Sequence, residues 1–378
     1  MYNTSDMKEK GTPPKEAARQ PTAQPTPAES DKGLGVLYVG IDLGTSRTAI
    51  AASNGVRECV LSVVGYPKDV VSRKLLKRDA LFGEEAQQRR LSVAFYRPLE
   101  KGVIKYSDNG EMRDKPEAAA NLQAATDLIK HAIGLARPQR DQPLYAVVGC
   151  PAEGSIRNKR AIVEAARAVV DSVMICSEPF AVAYGLERLD DTLVIDIGAG
   201  TTDLCRMHGT LPAEEDQVTI DIAGDTIDQT LAQLISAKCP EAQFTINMLK
   251  EIKERHAFVD EAADPVIVEF PVKGKPTPFD ITQEMRQACR ILIEPIVDAL
   301  ERLVATFDPE FQARLRNNVL LGGGGSQIHG LGKTIQQAMR ERLGGGKVTT
   351  VEEPIYAGAN GALKIAHDMP TEFWEKLS

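Results

Sequence analysis

The sequence contains few of the residues that build metal sites and disulfide frameworks. Its 378 residues include six cysteines and five histidines. The cysteines are scattered without any CxxC spacing, and the histidines are isolated from one another. This pattern argues against a zinc site or a disulfide framework. We therefore expect free cysteines that act as small buried hydrophobic residues in a reducing cytosol.

Long apolar runs and an excess of positive charge are also missing. No stretch approaches the length and hydrophobicity of a transmembrane helix, and the N-terminus lacks the apolar core of a signal peptide. The net charge of −8 disfavours nucleic-acid binding through bulk electrostatics. We expect a cytoplasmic protein that neither binds nucleic acid nor inserts into a membrane.

Residues 1–33 are rich in Pro, Thr and Ala and show no hydrophobic periodicity. This composition predicts a disordered leader. The segment has no amphipathic apolar face that would place it on a membrane surface. A role in docking a partner stays an alternative, but a solvated tail is the simpler expectation.

Two common catalytic signatures do not occur. The chain has no GxxxxGKS or GxxxxGKT segment, which excludes a Walker A phosphate loop. It also has no GxSxG segment, so Ser/His/Asp hydrolase chemistry has no support.

What the sequence does contain is the same order of strand-like and helical segments in two halves. After Gly35 the runs "VLYVGI", "TAIAAS" and "RECVLSVVGY" predict three strands, and a helix near 116–136 precedes a strand–helix–strand–helix series. The runs "TLVIDI", "TDLCRMH" and "QVTIDIA" restart this order, which ends with "NVLLGG", a helix from Gln327, "KVTTV" and a helix over 355–367. The repeat predicts a duplicated α/β architecture with a cleft between the copies.

The stretches "YVGIDLGTSRTAI" (38–50) and "LVIDIGAGTTDLC" (193–205) share one plan. Each has an apolar strand, an Asp near the strand end, and a Gly-rich turn with hydroxyl side chains. Backbone N–H groups and hydroxyls of two facing turns would clamp a triphosphate. Asp42 and Asp196 would repel phosphate and instead suit a hydrated Mg²⁺ or an attacking water. One such turn alone is usually just a hairpin, but two in corresponding positions indicate function.

Two further segments point to the same cleft. The stretch "LLGGGGSQIHGL" (320–331) joins a strand to a helix, and its four glycines suggest a close approach of the backbone to a ligand, with a flexible loop as the alternative. In "CSEPFAVAYG" (176–185) Glu178 precedes Pro179 at a predicted helix start. A glutamate there often only complements the helix dipole, but this strand end should face the cleft that holds Asp42 and Asp196.

Together these segments resemble the motifs of the actin/Hsp70/sugar-kinase superfamily, in the family's order and over almost everything after residue 34. Gly40–Ser46 resembles the first phosphate motif, Asp196–Asp203 the second, and residues 320–331 the adenosine motif. The stretches "SEPFAVAYG" and "AGANGALKIA" resemble the two connecting helices at the interdomain hinge. The segments "LSVVGYPKDV", "IKERHAFV" and "AGDTIDQTL" are similar to bacterial actins, in particular the magnetosome-associated filament proteins.

The resemblance implies a duplicated ribonuclease-H-like actin fold that binds ATP and Mg²⁺. The expected organisation is a leader over 1–33, a first lobe over 34–189 with a subdomain inserted at 68–113, a second lobe over 190–350 with a subdomain inserted at 226–290, and a tail over 351–378 that returns to the first lobe. The long leader departs from the family pattern.

The resemblance also implies a role for each matched residue. Glu178 and Asp196 would orient the attacking water, and Asp42 and Asp196 would hold Mg²⁺ through water. The residues expected to bind nucleotide are Gly44, Thr45, Ser46, Gly198, Gly200, Thr201, Thr202, Gly224, Asp225, Lys253, Glu254, Gly323, Gly324 and Ser326. Without the matched segment, Lys253 and Glu254 would be read as a solvated helix face.

The function expected from the resemblance is a cytoskeletal ATPase that polymerises with ATP and disassembles after hydrolysis. It would run alongside magnetosomes and contact acidic or membrane-bound adaptor proteins. The alternatives are a plasmid-segregating or cell-shape bacterial actin and a small-molecule kinase of the same fold. A kinase would need a base for a substrate hydroxyl, for which the sequence offers no distinct candidate. A chaperone-type ATPase would be expected to carry a linker and a substrate-binding domain beyond the last helix.

Overall fold

The computed structural model describes residues 35–105, 116–260 and 264–377. The predicted leader lies outside these residues. The strands are β1 (Leu37–Leu43), β2 (Arg47–Ala52), β3 (Arg57–Leu61), β4 (Val64–Pro67), β5 (Leu81–Phe82), β6 (Val93–Tyr96), β7 (Leu99–Glu100), β8 (Val103–Ile104), β9 (Leu144–Cys150), β10 (Ser172–Ser177), β11 (Thr192–Ile197), β12 (Thr202–Met207), β13 (Gln217–Ile220), β14 (Ile267–Val272), β15 (Lys275–Asp280), β16 (Val319–Gly322) and β17 (Val348–Thr350).

The α-helices of the described residues lie between and after these strands. They are α1 (Val70–Leu76), α2 (Gly83–Gln88), α3 (Pro116–Leu135), α4 (Ile156–Arg167), α5 (Glu178–Gly185), α6 (Gly224–Lys238), α7 (Ile246–His256), α8 (Thr282–Arg290), α9 (Ile293–Ala305), α10 (Pro309–Arg316), α11 (Leu331–Leu343), α12 (Ala357–Asp368) and α13 (Thr371–Glu375). None of them is both long enough and apolar enough to cross a membrane.

Two five-stranded sheets with the same topology form the framework. In the first sheet the strand order is β10-β9-β1-β2-β3, and in the second it is β13-β12-β11-β16-β17. In both, the first three strands in sequence are antiparallel neighbours, and the two later strands add in parallel on the other side. The predicted duplication is therefore confirmed. We call the parts built on these sheets the first lobe and the second lobe.

The prediction of a single third strand over "RECVLSVVGY" is wrong. It is divided at Ser62 into β3, which belongs to the first large sheet, and β4, which pairs with β5 and β6 in a separate three-stranded sheet. The buried Ser62 hydroxyl donates to the carbonyl oxygen of Gly44 at 2.6 Å, and its N–H donates to the carbonyl oxygen of Ser46 at 2.9 Å. These bonds anchor the bend to the first glycine-bearing turn.

Small residues allow helices α5 and α12 to cross closely between the lobes. Helix α12 packs against α5 and against β1 and β9. A Cβ atom on Gly361 would overlap the carbonyl oxygen of Ala181, and one on Gly40 would overlap the carbonyl oxygen of Ala359. The small-residue run "AGANGA" is thus explained by close packing of backbone against backbone.

Candidate functional site

A cavity of about 570 Å³ lies between the two lobes, at the strand ends where the turns of both sheets meet. In open α/β sheets ligands bind beyond the strand ends, because turns and helix N-termini there present backbone N–H groups. The cavity is lined by both glycine-bearing turns, by the glycine loop that follows β16, and by residues of α7. The lining therefore comes from sequence segments almost three hundred residues apart.

The β1–β2 turn forms one wall. Asp42 lies near the end of β1 and pairs with Ala49 across the hairpin. A Cβ atom on Gly44 would come within 2.6 Å of the carbonyl oxygen of Arg47, so this tight turn requires glycine. The Thr45 hydroxyl accepts a hydrogen bond from the Gly102 N–H at 2.7 Å, and the Ser46 hydroxyl contacts the Lys250 ammonium.

The β11–β12 turn forms the opposite wall and touches the first. The Gly198 N–H donates to the carbonyl oxygen of Thr201 at 2.9 Å and closes the turn. A Cβ atom on Gly200 would lie 2.5 Å from the Thr45 hydroxyl oxygen and 2.7 Å from the Lys101 Cα. The two turns are thus packed so closely that only a glycine fits between them. Each half of the sequence contains the same kind of turn, and in the fold the two turns face each other.

Three carboxyl groups lie at the floor of the cavity: Asp196 is buried, and Asp42 and Glu178 are half-buried. Burial raises the pKa of Asp42 to about 6. Burial also raises the pKa of Glu178, and the charges of Asp42, Asp203 and Asp196 raise it further. The pKa of Asp196 is raised in the same way, by burial first and then by Asp42 and Asp203. Like charges at this density disfavour ionisation unless a cation joins them.

The surroundings of these carboxyl groups are shaped for an additional ligand. The Oε1 atom of Glu178 is buried and has no hydrogen-bond partner among the described residues. A Cβ atom on Gly358 would lie 2.7 Å from Oδ2 of Asp42, and one on Gly323 would overlap Oδ1 of Asp196. Within the described residues no three His, Cys, Asp or Glu side chains are grouped to bind a bare metal ion. The unpartnered oxygen of Glu178 and the neighbouring Asp42 and Asp196 are hard oxygen ligands of the kind that suit a hydrated Mg²⁺.

The glycine loop after β16 forms the far end of the cavity. Gly323 has a φ of +73°, which favours glycine. A Cβ atom on Gly325 would overlap the Ile197 side chain, so the loop lies directly on the β11–β12 turn. Gly323, Gly324 and Gly325 line the cavity, and because they carry no side chains a ligand can approach the backbone closely there.

The structure places most of the predicted site residues on the cavity wall. These are Asp42, Gly44, Thr45, Ser46, Glu178, Asp196, Gly198, Gly200, Thr201, Gly224, Lys253, Glu254, Gly323 and Gly324. Thr202, Asp225 and Ser326 do not line it. The Thr202 hydroxyl donates to the carbonyl oxygen of Ile222, and the Ser326 hydroxyl donates to that of Gly323. The Asp225 N–H donates to the carbonyl oxygen of Ala199 at 2.7 Å and buttresses the second turn.

Lys253 and Glu254 have different surroundings although they are adjacent. The Lys253 ammonium lies 2.8 Å from Oδ1 of the buried Asp228 and donates to the carbonyl oxygen of Gly224 at 2.7 Å. Its charge is therefore used mainly to hold α7 against the start of α6. Glu254 is half-exposed and pairs with Arg47 across the cleft at 3.2 Å.

Sequence reasoning missed several cavity residues, of which Lys250 is the clearest. Lys250 lies on α7 in the second lobe and reaches Ser46 of the first lobe. Burial lowers its pKa. Its position three residues before Lys253, on the same helix face, was the signal available in the sequence. Arg47, Gln327 and His329 also line the cavity without any distinctive local pattern.

Comparison with known proteins agrees with this architecture. The family model described as MreB/Mbl protein matches residues 37–372. The chain is 38% identical over 341 residues to the actin-like protein MamK of Paramagnetospirillum magneticum, covering 90% of this chain and 95% of that protein. It is also 38% identical to MamK of Magnetospirillum gryphiswaldense, covering 90% and 92% of the two chains.

Solved structures show the same fold. A MamK double helical filament has a TM-score of 0.83 at 38% identity and covers 88% of this chain and 99% of that one. A non-polymerising MamK mutant bound to AMPPNP has a TM-score of 0.67 at 37% identity and covers 89% and 100%. The expected two-lobed actin fold is therefore confirmed. The chain belongs to the MreB/Mbl family of actin-like proteins, with the MamK proteins among its relatives.

Proposed function

We propose that this protein is an actin-like ATPase that binds Mg·ATP between its lobes, polymerises into filaments and disassembles after hydrolysis. The observation that carries the proposal is the contact of the two turns, where Gly200 packs against Thr45 beside the carboxyl groups of Asp42, Glu178 and Asp196. A polyphosphate held there would touch both lobes at once.

Different parts of the cavity lining would hold different parts of the nucleotide. Backbone N–H groups of both turns and the hydroxyls of Thr45 and Ser46 would hold the phosphates. Thr201 would contribute through its backbone, because its hydroxyl donates to Asp203. The glycine loop and α7 would hold the adenosine, and Lys250 adds a positive charge between them. Asp42 and Asp196 would hold Mg²⁺ through water. When bound, the metal would neutralise the charge of the phosphates and of the acids beneath them.

Hydrolysis would depend on Glu178. Its unpartnered Oε1 atom is available to accept a hydrogen bond from the attacking water, and Asp196 would accept a second one. Because a carboxylate is a weak base, most of the acceleration must come from positioning the water and stabilising the transferred phosphoryl group.

Polymerisation would follow from lobe closure. A nucleotide that touches both turns favours one arrangement of the lobes, and that arrangement determines whether the surfaces of neighbouring subunits match. Head-to-tail contacts that do not close into a ring generate open filaments. The MamK filament structures support this step, since they share the fold at 38–39% identity.

The cellular role rests on the same similarity. We propose that the filament lies in the cytoplasm alongside magnetosomes, organises them into a chain and contacts acidic or membrane-bound adaptor proteins. The MamK relatives from Paramagnetospirillum and Magnetospirillum support this role over that of a plasmid-segregating or cell-shape actin.

The test is pelleting and electron microscopy of the purified chain with Mg·ATP, with Mg·ADP and without nucleotide, beside a phosphate-release assay. Filaments that form with Mg·ATP and shorten as phosphate is released support the proposal. The variant Glu178→Ala should bind ATP and form filaments but release phosphate at least a hundredfold more slowly, because the positioned acceptor is lost. A soluble monomer that transfers phosphate to a small molecule would instead indicate a kinase.

A further inference from the structure

We propose that Asp203 is a positioning residue at the centre of a latch between the lobes, and that this latch sets how long a nucleotide stays bound. We call the contact of residues 151–153 with Asp203 and Thr219 the latch. The inference rests on the proposed nucleotide site and assigns a regulatory element to it.

The latch is a set of hydrogen bonds between a turn of the first lobe and two strands of the second. The turn follows β9, and Asp203 and Thr219 face it from β12 and β13. The Ala152 N–H donates to Oδ1 of Asp203 at 3.0 Å, and the Glu153 N–H donates to the Thr219 hydroxyl oxygen at 3.1 Å. The Thr219 hydroxyl in turn donates to the same Oδ1 atom at 2.6 Å. One oxygen atom thus joins two lobes.

Apart from the effect of its charge on Glu178 and Asp196, Asp203 makes no direct contribution to the nucleotide cavity. It is 1% exposed and lies outside the cavity lining. A buried carboxyl group is costly unless hydrogen bonds satisfy it, and here the donors are Thr219, Thr201 and the Ala152 N–H. Of these, only Ala152 belongs to the first lobe. Opening the cleft would remove that donor and leave part of the carboxyl group unsatisfied.

The latch is directly connected to the nucleotide site. Asp203 pairs with Asp196 across the β11–β12 hairpin, so the two acids lie on neighbouring strands. Its partner Thr201 lines the cavity. The latch therefore acts at the base of the second phosphate turn rather than at a remote edge of the lobes.

A second bridge holds the same edge of the cleft. Lys101, in the turn between β7 and β8, forms an ion pair with Asp221 of the second lobe at 2.7 Å. The flanking residues Leu99 and Ile104 are buried in the core of the first lobe. Both partners of this pair are more than half exposed, so solvent screens it and the buried latch is the stronger constraint.

The latch increases the fraction of molecules in which the two lobes are closed. A nucleotide that must touch both lobes binds with an apparent affinity that scales with the fraction of closed molecules. Removing the latch lowers this fraction in the free protein. Saturating nucleotide restores closure, so kcat should change only through the loss of the Asp203 charge near Glu178 and Asp196.

The test compares Asp203→Ala with Asp203→Asn in the full chain. We expect Asp203→Ala to raise the KM for ATP and the release rate of a fluorescent ATP analogue by about tenfold, the scale of one charge-assisted hydrogen bond, with kcat changed less than threefold. The Ala152 and Glu153 amides should exchange with solvent faster. Asp203→Asn should stay within about threefold of wild type, because its amide oxygen still accepts from Ala152.

Asp216→Asn is the matched control. Asp216 is also buried in the second lobe, but its partners Arg206 and His208 lie in that same lobe. This variant should lower Tm while leaving the KM unchanged. The latch is refuted if Asp203→Ala lowers Tm but leaves both the KM and the Ala152 exchange rate at wild-type values. If the wild-type chain bound no nucleotide, the proposed function would fail, while the exchange rates would still test the latch.

Discussion

The contact between the two phosphate turns predicts the effect of a single methyl group. In Gly200→Ala the new Cβ atom would lie 2.5 Å from the Thr45 hydroxyl oxygen and 2.7 Å from the Lys101 Cα. The second of these atoms belongs to the main chain of the other lobe, so rotating a side chain does not relieve the clash. Overpacking of this kind costs about 1–3 kcal/mol. Because the clash exists only when the turns meet, the substitution destabilises the closed state and not the open state.

The expected result is weaker nucleotide binding without loss of folding. A cost of about 1–3 kcal/mol corresponds to about 5- to 150-fold in affinity. Titration with a fluorescent ATP analogue measures the affinity, and calorimetry measures Tm. The control is Gly134→Ala in α3, where a Cβ atom meets nothing within 4 Å; this variant should bind normally and be slightly more stable. Wild-type affinity in Gly200→Ala would show that the turns are not pressed together around the ligand, and the reasoning above would be wrong.

Two further predictions concern the crossing of α5 with α12 and the second lobe. Gly361→Ala should destabilise the fold by about 1–3 kcal/mol, because its Cβ atom would overlap the carbonyl oxygen of Ala181; a denaturant midpoint equal to wild type would contradict the close helix crossing. Burial tends to raise the pKa of Asp216, but hydrogen bonds from His208, the Ala213 N–H and Arg206 lower it overall below 3.8. A lowered acid pKa stabilises the fold above the unfolded value and loses this contribution as the pH falls through the folded value. Unfolding midpoints between pH 6 and pH 2.5 should therefore fall less steeply in Asp216→Asn than in wild type; parallel curves would exclude Asp216 as a source of the acid sensitivity.

Much of the site could be predicted because its motifs are local. A strand followed by Asp and a Gly-rich turn is specified by neighbouring residues, and its repetition identified two walls of one cleft. Glu178 could be placed because Pro179 marks the start of a helix directly after a strand, and α5 does begin at Glu178. The expected chemical roles of these residues stay predictions.

The residues that escaped prediction act through contacts between distant segments. Ser62 interrupts an apolar run because its hydroxyl reaches Gly44, eighteen residues earlier. The Lys253 ammonium is drawn to the buried Asp228, which a reading of α7 as an isolated helix would not reveal. Lys250 and Ser46 are 204 residues apart. The spacing of Lys250 and Lys253 places both on one face of α7, but nothing in the local sequence identifies the partners of these residues.

The sequence alone determined the two-fold repeat of strands, the position of both turns and the acids beside them, because backbone periodicity and turn chemistry depend on adjacent residues. Only the tertiary structure decided how the halves meet: that Gly200 lies against Thr45, that Lys250 crosses the cleft, and that Asp203 holds a turn of the opposite lobe. These contacts arise when two separately encoded surfaces pack together. Their partners are set by the packing of whole lobes rather than by the local chain.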